Sequence, residues 1–345
     1  MNPQILSSLD AQLVLSLQKG IPIVAEPFAT LAIQFKLSEQ ELFAKIADFR
    51  AAGIIRRLGA VFNVSQLGYQ SALCGIAVPV AELDAVAQVL IPHPGITHIY
   101  SRSCALDHSL ELVYDDPSCA IPNLWFTLST LAEAFDTQIN ALQNHFAYPI
   151  RVAPATRKFK VQVVLDPNQA QNQDTLATDE IPWMGTEAVQ ISLAERKLVT
   201  LLHGELPLVP HPFAELGAQT GFSEQEVLEK LMLWKYSGAL RRIAILTRHQ
   251  KLGFTANAMC TWSVPAQYVE AAGLALAACR EVTHCYERTT FPGFAYNIFA
   301  MIHAKSPEAL LHIAEQLSER IGTPMGRLFF SCKEYKKSSL VPFQE

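Results

Sequence analysis

No apolar run in the chain reaches the ~18 residues that a membrane-spanning helix needs. The N-terminus, Met1-Asn2-Pro3-Gln4, lacks the charged-then-apolar layout of a secretion signal. The cysteines, at 74, 104, 119, 260, 279, 285 and 332, form no Cys-x-x-Cys pair, and their odd number suits reduced thiols. Together these absences predict a cytoplasmic protein that neither spans nor docks on a membrane. No His-x-x-x-His and no Cys/His cluster offers metal-ligand spacing, so no metal site is expected. There is no Gly-x-Gly-x-x-Gly, phosphate-binding Walker loop or nucleophile elbow, which leaves nucleotide cofactors and serine-type hydrolysis unsupported. No cofactor is expected. Charge is scarce as well: 17% of residues are charged and the net charge is −5, so no global field draws the chain to nucleic acid.

What is present is a repeat. Gly53-Ile54-Ile55-Arg56-Arg57, closed by Leu67-Gly68-Tyr69, returns as Gly238-Ala239-Leu240-Arg241-Arg242, closed by Leu252-Gly253-Phe254. The spacing of 185 residues holds through the run, since Arg57 meets Arg242 and Gly68 meets Gly253. His98-Ile99-Tyr100-Ser101-Arg102 returns 186 residues later as His284-Cys285-Tyr286-Glu287-Arg288, one inserted residue making the difference. A chain of 345 residues can hold two to three domains, and this one is two copies of one unit.

Each copy opens with helix signals. Residues 5–19 carry Ile5, Leu6, Leu9, Leu13 and Leu17 at helical spacing and stop at Gly20. Pro27-Phe28 opens a second helix. Ser38-Glu39-Gln40-Glu41 is a capping box for a third, which ends at Gly53 before an extended segment 54–62. Pro212-Phe213 and Ser223-Glu224-Gln225-Glu226 repeat these signals. Three short helices and a strand describe a winged helix-turn-helix. Behind it, residues 72–80 read as a strand, 81–90 as a helix, 96–102 and 109–114 as strands, 121–142 as a long helix and 148–164 as the last strand. The second copy runs 257–264, 267–278, 282–290, 295–303, 306–319 and 326–335 in the same order. This βαββαβ order is a ferredoxin-like sandwich, with both helices on one face and the other face left free for a ligand or partner. The fold class is thus α+β, a tandem repeat. Its expected units are 1–66, 67–165, a polar linker 166–190, 191–251 and 252–345.

A winged helix first suggests DNA, yet phosphate contacts need Lys and Arg. The recognition helix 38–52 sets Lys45 and Arg50 against Glu39, Glu41 and Asp48, and 223–236 sets Lys230 and Lys235 against Glu224, Glu226 and Glu229. Both carry an excess acid, so no functional DNA binding is expected. Arg56, Arg57, Arg241 and Arg242 lie where winged helix meets sheet. Guanidinium suits bidentate carboxylate, so four of them point to an anionic ligand, although one of each pair can equally cap the preceding helix. His98, Tyr100 and Arg102, like His284, Tyr286 and Arg288, alternate along a strand and face one way. An imidazole, a phenol and a guanidinium there make a binding or acid–base patch. His249 breaks the repeat, since Val64 stands at its place in the first copy.

These phrases carry a resemblance. A winged helix followed by a ferredoxin-like domain resembles the Lrp/AsnC regulators. The runs 53–63 and 239–254, together with Val282-Thr283-His284-Cys285-Tyr286-Glu287-Arg288, Tyr296-Asn297-Ile298-Phe299 and Met301-Ile302-His303, resemble an offshoot of them, the siroheme decarboxylases. The likeness covers both copies. It implies loss of CO2 from the C12 and C18 acetates of siroheme, giving 12,18-didecarboxysiroheme, within haem d1 or alternative haem synthesis. Siroheme carries eight carboxylates, which agrees with the arginines read above. On this reading His249 and His284 handle protonation. Arg56, Arg57, His98, Tyr100, Arg102, Arg241, Arg242, Tyr286 and Arg288 bind substrate. The two halves pair with each other, and a homodimer of the fused chain is the further assembly the family suggests. A tetrapyrrole carrier or sensor, or an Lrp/AsnC-type transcriptional regulator, is the rival reading.

Overall fold

The structure, a computed structural model, describes residues 6–104, 121–161, 164–166 and 189–343. In the first half, α1 (Ser8–Lys19), α2 (Pro27–Gln34) and α3 (Glu39–Ala51) lead into β1 (Ile55–Phe62). Then follow β2 (Tyr69–Ile76), α4 (Leu83–Leu90), β3 (Ile96–Ser103), β4 (Leu124–Leu131), α5 (Phe135–Gln143) and β5 (Arg151–Val161). The second half repeats the order with α6 (Leu193–Gly204), α7 (Pro212–Thr220), α8 (Glu224–Tyr236) and β6 (Leu240–Thr247). It continues with β7 (Ala256–Trp262), α9 (Val269–Ala277), β8 (Val282–Arg288), β9 (Ile298–Ala304), α10 (Pro307–Ile321) and β10 (Arg327–Lys337).

The local signals act as read. Ser38 accepts from the Glu41 N–H while the Glu41 carboxylate reaches back, and Ser223 with Glu226 does the same for α8. Pro27 and Pro212 sit in the first turns of α2 and α7. One expectation fails. The stretch 124–131, read as part of a long helix, is a strand, and the helix begins only at Phe135. Leu-Trp-Phe-Thr-Leu-Ser-Thr-Leu alternates and is rich in aromatic and β-branched residues, which a pleated strand accommodates better than a helix. Its Leu124, Phe126 and Leu128 enter the core beneath α4 and α5, while Trp125 turns to the opposite face. The strand expected at 109–114, and most of the linker 166–190, lie outside the described residues.

The halves join at two levels. β1 and β6 pair antiparallel into a ribbon, and both sets of three helices share one apolar core around it, including Leu42, Ile46, Leu58, Leu231, Trp234 and Ile243. Below, the two four-stranded sheets close into a barrel of order β10-β3-β4-β2-β5-β8-β9-β7. Within each sheet the order is the ferredoxin-like one. The last strand of each half then crosses to the other: β5 pairs with β8, and β10 with β3. Closure removes the exposed strand edges that each sheet alone would present. It also gives the sheet face that the helices leave open its partner, the sheet of the other half. The two inner faces meet, and Trp125, Met259, Phe294, Phe299 and Phe329 pack between them. α4 and α5 cover one outer face, α9 and α10 the other.

Candidate functional site

β3 and β8 bring the two His-x-Tyr-x-Arg sets to the inner face of the barrel, at the end nearest the ribbon. Ile99 packs in the helix-covered core and Cys285 likewise, so the alternating His, Tyr and Arg point inward. The sets are near-copies. The His98 and Tyr100 rings lie 6.3 Å apart at 24°, and those of His284 and Tyr286 6.2 Å apart at 21°. The Arg102 guanidinium sits 5.1 Å over Tyr100 and that of Arg288 4.6 Å over Tyr286. Each arginine then donates to a backbone carbonyl of the opposite half: Arg102 Nη1 to Phe329 (3.4 Å), and Arg288 Nη1 to Ala153 (2.8 Å). Burial depresses both, Arg102 to about 10.

The imidazoles are held by their neighbours in sequence. His98 Nδ1 meets the Thr97 hydroxyl at 2.9 Å, and His284 Nδ1 meets that of Thr283 at 3.1 Å. Thr283 Oγ1 donates in turn to the Met301 carbonyl at 3.4 Å. With its hydrogen so placed, Thr283 Oγ1 can accept from His284 Nδ1. Burial, then the charges of Lys337, Arg56, His284 and Arg102, push His98 down to about 3. Burial, then Arg241, Arg288, Arg242 and Lys160, push His284 down to about 4. Both rings are neutral at neutral pH.

The arginine pairs divide. Arg56 turns to the cleft, where Nη2 donates to Ser339 Oγ at 3.3 Å; burial lowers its pKa, and Tyr100, Arg248 and Glu334 are its titratable neighbours. Arg241 faces the matching place, in reach of Lys158, His284 and Tyr286. Arg242 is buried and acts on His284. Arg57 is the exception, because it runs along its own strand to the Ala60 carbonyl, 3.2 Å away. It lies against the end of α6, where Gly59 lets the strand approach: a Cβ there would stand 2.8 Å from the Leu202 carbonyl oxygen and 3.2 Å from Arg57 Nη1. Burial takes it down to about 10, with Arg56 adding. Arg57 thus lies at a helix end between the halves.

His249 opens a 3-10 turn, His249–Leu252. The residue before it, Arg248, donates its N–H to the Ile54 carbonyl and Nη1 to that of Gly53, and its charge reaches Arg56 and Lys337. The turn therefore lies over the first-half set of His98 and Arg56, whereas the sequence grouped His249 with His284. The matching first-half turn, Val64–Leu67, lies over the second-half set, where Ser65 Oγ accepts from Lys158 at 3.2 Å. Each set is composite: a sheet and an arginine from one half, an edge strand and a turn from the other. Sequence reasoning missed Lys158, Lys160, Glu334 and Lys337, all on the exchanged strands β5 and β10. Their alternation along a strand was readable, but not the half they join.

Among the described residues no group of three or more His, Cys, Asp or Glu could hold a metal ion, and no helix is long and apolar enough to cross a membrane. The bases of the two helices that would read DNA are turned to internal tasks. Lys45 pairs with Asp10 at 2.7 Å, Arg50 with Glu205, Lys230 with Glu195 at 2.9 Å, and Lys235 donates to the Arg241 carbonyl. At the far end of β10 a cavity of about 560 Å³ is lined by Phe291, Phe294, Tyr296 and Arg327 among others.

Fold and site define a class: two fused winged-helix and AsnC-like modules whose sheets close over a basic, histidine-bearing cleft. The AsnC-like ligand binding domain matches residues 66–160 and 251–336, and the siroheme decarboxylase NirDL-like HTH domain matches 10–56 and 195–241. A siroheme decarboxylase of Hydrogenobacter thermophilus is 33% identical over 335 residues, 95% of this chain and 93% of that one. The siroheme decarboxylase NirDL subunit of Paracoccus pantotrophus is 31% identical, covering 97% of this chain and 98% of its own. The crystal structure of the siroheme decarboxylase NirDL in co-complex with an iron-uroporphyrin III analogue superposes with a TM-score of 0.68 at 30% identity, over 97% of this chain and 95% of that one. The chain belongs to the siroheme decarboxylase family and carries both of its modules in one polypeptide.

Proposed function

We propose that this chain removes CO2 from the two acetate arms at C12 and C18 of siroheme, leaving methyl groups, as a carbon–carbon lyase of the cytoplasm. The observation that carries the reading is the pair of neutral histidines set among arginines and lysines at one mouth of the barrel. A macrocycle with eight carboxylates is the counterpart that these cations suit. Arg241, Arg242 and Arg288 hold carboxylates that do not react, and an arm seated beside His284 loses its water shell.

The step balances without an oxidant. The acetate C–C bond breaks, CO2 leaves, and the electron pair passes into the conjugated macrocycle. One proton then returns to the methylene carbon, so each decarboxylation consumes one proton. His284 starts neutral because burial and four cations depress it. Substrate carboxylates offset those cations, so docking raises its proton affinity and loads the acid next to the carbon that needs it. The turn bearing His249 stands at the other end of the cleft, beside His98, for the second proton transfer. The halves form the working pair within one chain, and a homodimer of that chain is the further assembly proposed.

Anaerobic incubation with siroheme, followed by mass analysis of the pigment, tests the reading. Loss of two CO2 units, stalled or abolished by His284→Ala or His249→Ala, is the expected result. Pigment bound tightly and recovered with unchanged mass would leave a tetrapyrrole carrier or sensor.

A further inference from the structure

The two composite sets match residue for residue along β3 and β8, but not along the strands that the halves exchange. In the register of β10 against β3, Glu334 stands opposite Tyr100. In the register of β5 against β8, Lys158 stands opposite Tyr286. The two positions correspond: each lies on the crossing strand, beside the tyrosine of the other half's set, and each is exposed to the cleft. Their charges are opposite.

Each has built surroundings to suit. Tyr100 Oη donates to Glu334 Oε2 at 3.0 Å, and Lys337 Nζ stands 3.9 Å from the same carboxylate oxygen. That carboxylate also faces Arg56. The first-half end therefore arrives with an anion already among its cations and with its phenol engaged. At the second-half end Lys158 lies in reach of Arg241 and Arg288, and Nζ is steadied by Ser65 Oγ. The acid on the strand of Tyr286, Glu287, faces away to Arg157 at 3.1 Å. Among the described residues one end of the cleft gathers Lys158, Arg241 and Arg288, while the other sets Glu334 among its cations.

We propose that Lys158 and Glu334 set the orientation of the substrate in the cleft, Lys158 drawing carboxylates of the macrocycle to the Arg241 and Arg288 end and Glu334 turning them away from Tyr100. The inference rests on the reading of the chain as a binder of a polycarboxylate tetrapyrrole. It adds two residues that decide specificity within a cleft of near-symmetric construction.

Iron uroporphyrin, an octacarboxylate, is the probe, titrated into the full chain and followed by its absorbance band. Lys158→Met is expected to weaken binding about tenfold, the loss of one charge-assisted contact. Glu334→Gln is expected to leave affinity within about twofold or tighten it. The exchange Lys158→Glu with Glu334→Lys, which preserves net charge and the composition of the barrel, restores binding near the wild-type value because the basic end has moved to the other set. Weakening by Glu334→Gln with no effect of Lys158→Met overturns the proposal, as does equal loss in both. Siroheme conversion by wild-type protein is measured beside these titrations. Probe binding with this charge pattern but no conversion would sink the enzymatic reading and leave the orientation standing; conversion with the reverse pattern would do the opposite.

Discussion

Proton uptake at His284 is the sharpest consequence of the cleft's electrostatics. Its imidazole is held down at about 4, first by burial and then by Arg241, Arg288, Arg242 and Lys160. A docked polycarboxylate cancels the contribution of those cations, and a return to the ordinary histidine value of roughly 6.5 is the reference case. At pH 5.5 the free protein then carries about 0.03 proton on this ring and the complex about 0.9. Binding of iron uroporphyrin should take up close to one proton there. By linkage, His284 should tighten binding about thirtyfold between pH 8 and pH 5, or about 2 kcal/mol. The sign follows from the bound state having the higher pKa: the gain is present below the bound value and vanishes as pH rises through it. Calorimetric titration in two buffers of different ionisation enthalpy reads the protons directly. His98, at about 3, responds in the same sense, so the decisive quantity is the difference between wild type and His284→Asn. A difference below about 0.2 proton at pH 5.5 would refute the argument that the cations await the substrate.

Three further outcomes follow from other parts of the molecule. His203 is buried, neither ring nitrogen has a hydrogen-bond partner among the described residues, and burial, then Arg57 and Arg56, push it down to about 3. The unfolded chain takes the proton near pH 6.5 and the folded chain does not, so stability is lost as pH falls below that value. At pH 5 the loss is about 2 kcal/mol, and His203→Gln, which copies Gln18 of the first half, should remove that dependence in denaturant titrations at pH 5 and 7.5. Gly273→Ala places a Cβ 2.3 Å from the Phe159 ring of the opposite half, and should lower stability by about 1–3 kcal/mol through overpacking. Arg57→Met should lower the melting temperature but leave probe affinity within about twofold, whereas Arg241→Met should weaken the probe about tenfold or more at unchanged melting temperature.

Much of this was legible because the signals are local. Ser38 with Glu41 and Ser223 with Glu226 need only each other to start a helix, and Pro27 and Pro212 need only their own rings. Alternation alone placed His98, Tyr100 and Arg102 on one face. The misread strand Leu124–Leu131 shows where local reasoning weakens. Its apolar residues are dense enough to satisfy a helical spacing as well, and only burial on both faces of the barrel decides for the strand. What no local signal carries is the exchange of edge strands. Arg57 and Arg56 are adjacent and chemically identical, yet one meets the end of α6 from the other half and one meets the cleft. Lys158 and Glu334 become site residues only because β5 and β10 cross over. The pairing of β1 with β6 seats the His249 turn over the first-half set, which a reading confined to the second half could not foresee.

That crossing explains why the doubled unit is a single working object. A half alone would expose the edge of β3 or β8, and the strand completing its site would be missing. The outer faces tell the same story. Phe159 of β5 packs with the core of the second half under α9, and Tyr335 of β10 packs against the core of the first half under α4 and α5. Each half thus supplies a wedge to the other's core and a wall to the other's cleft, so binding and folding draw on the same contacts. Fusion keeps the two walls at a fixed stoichiometry. It also frees the positions on β5 and β10 to diverge, and at Lys158 and Glu334 they have diverged in sign. A pair of identical subunits would repeat one charge at both ends, so the unequal cleft requires two distinct halves.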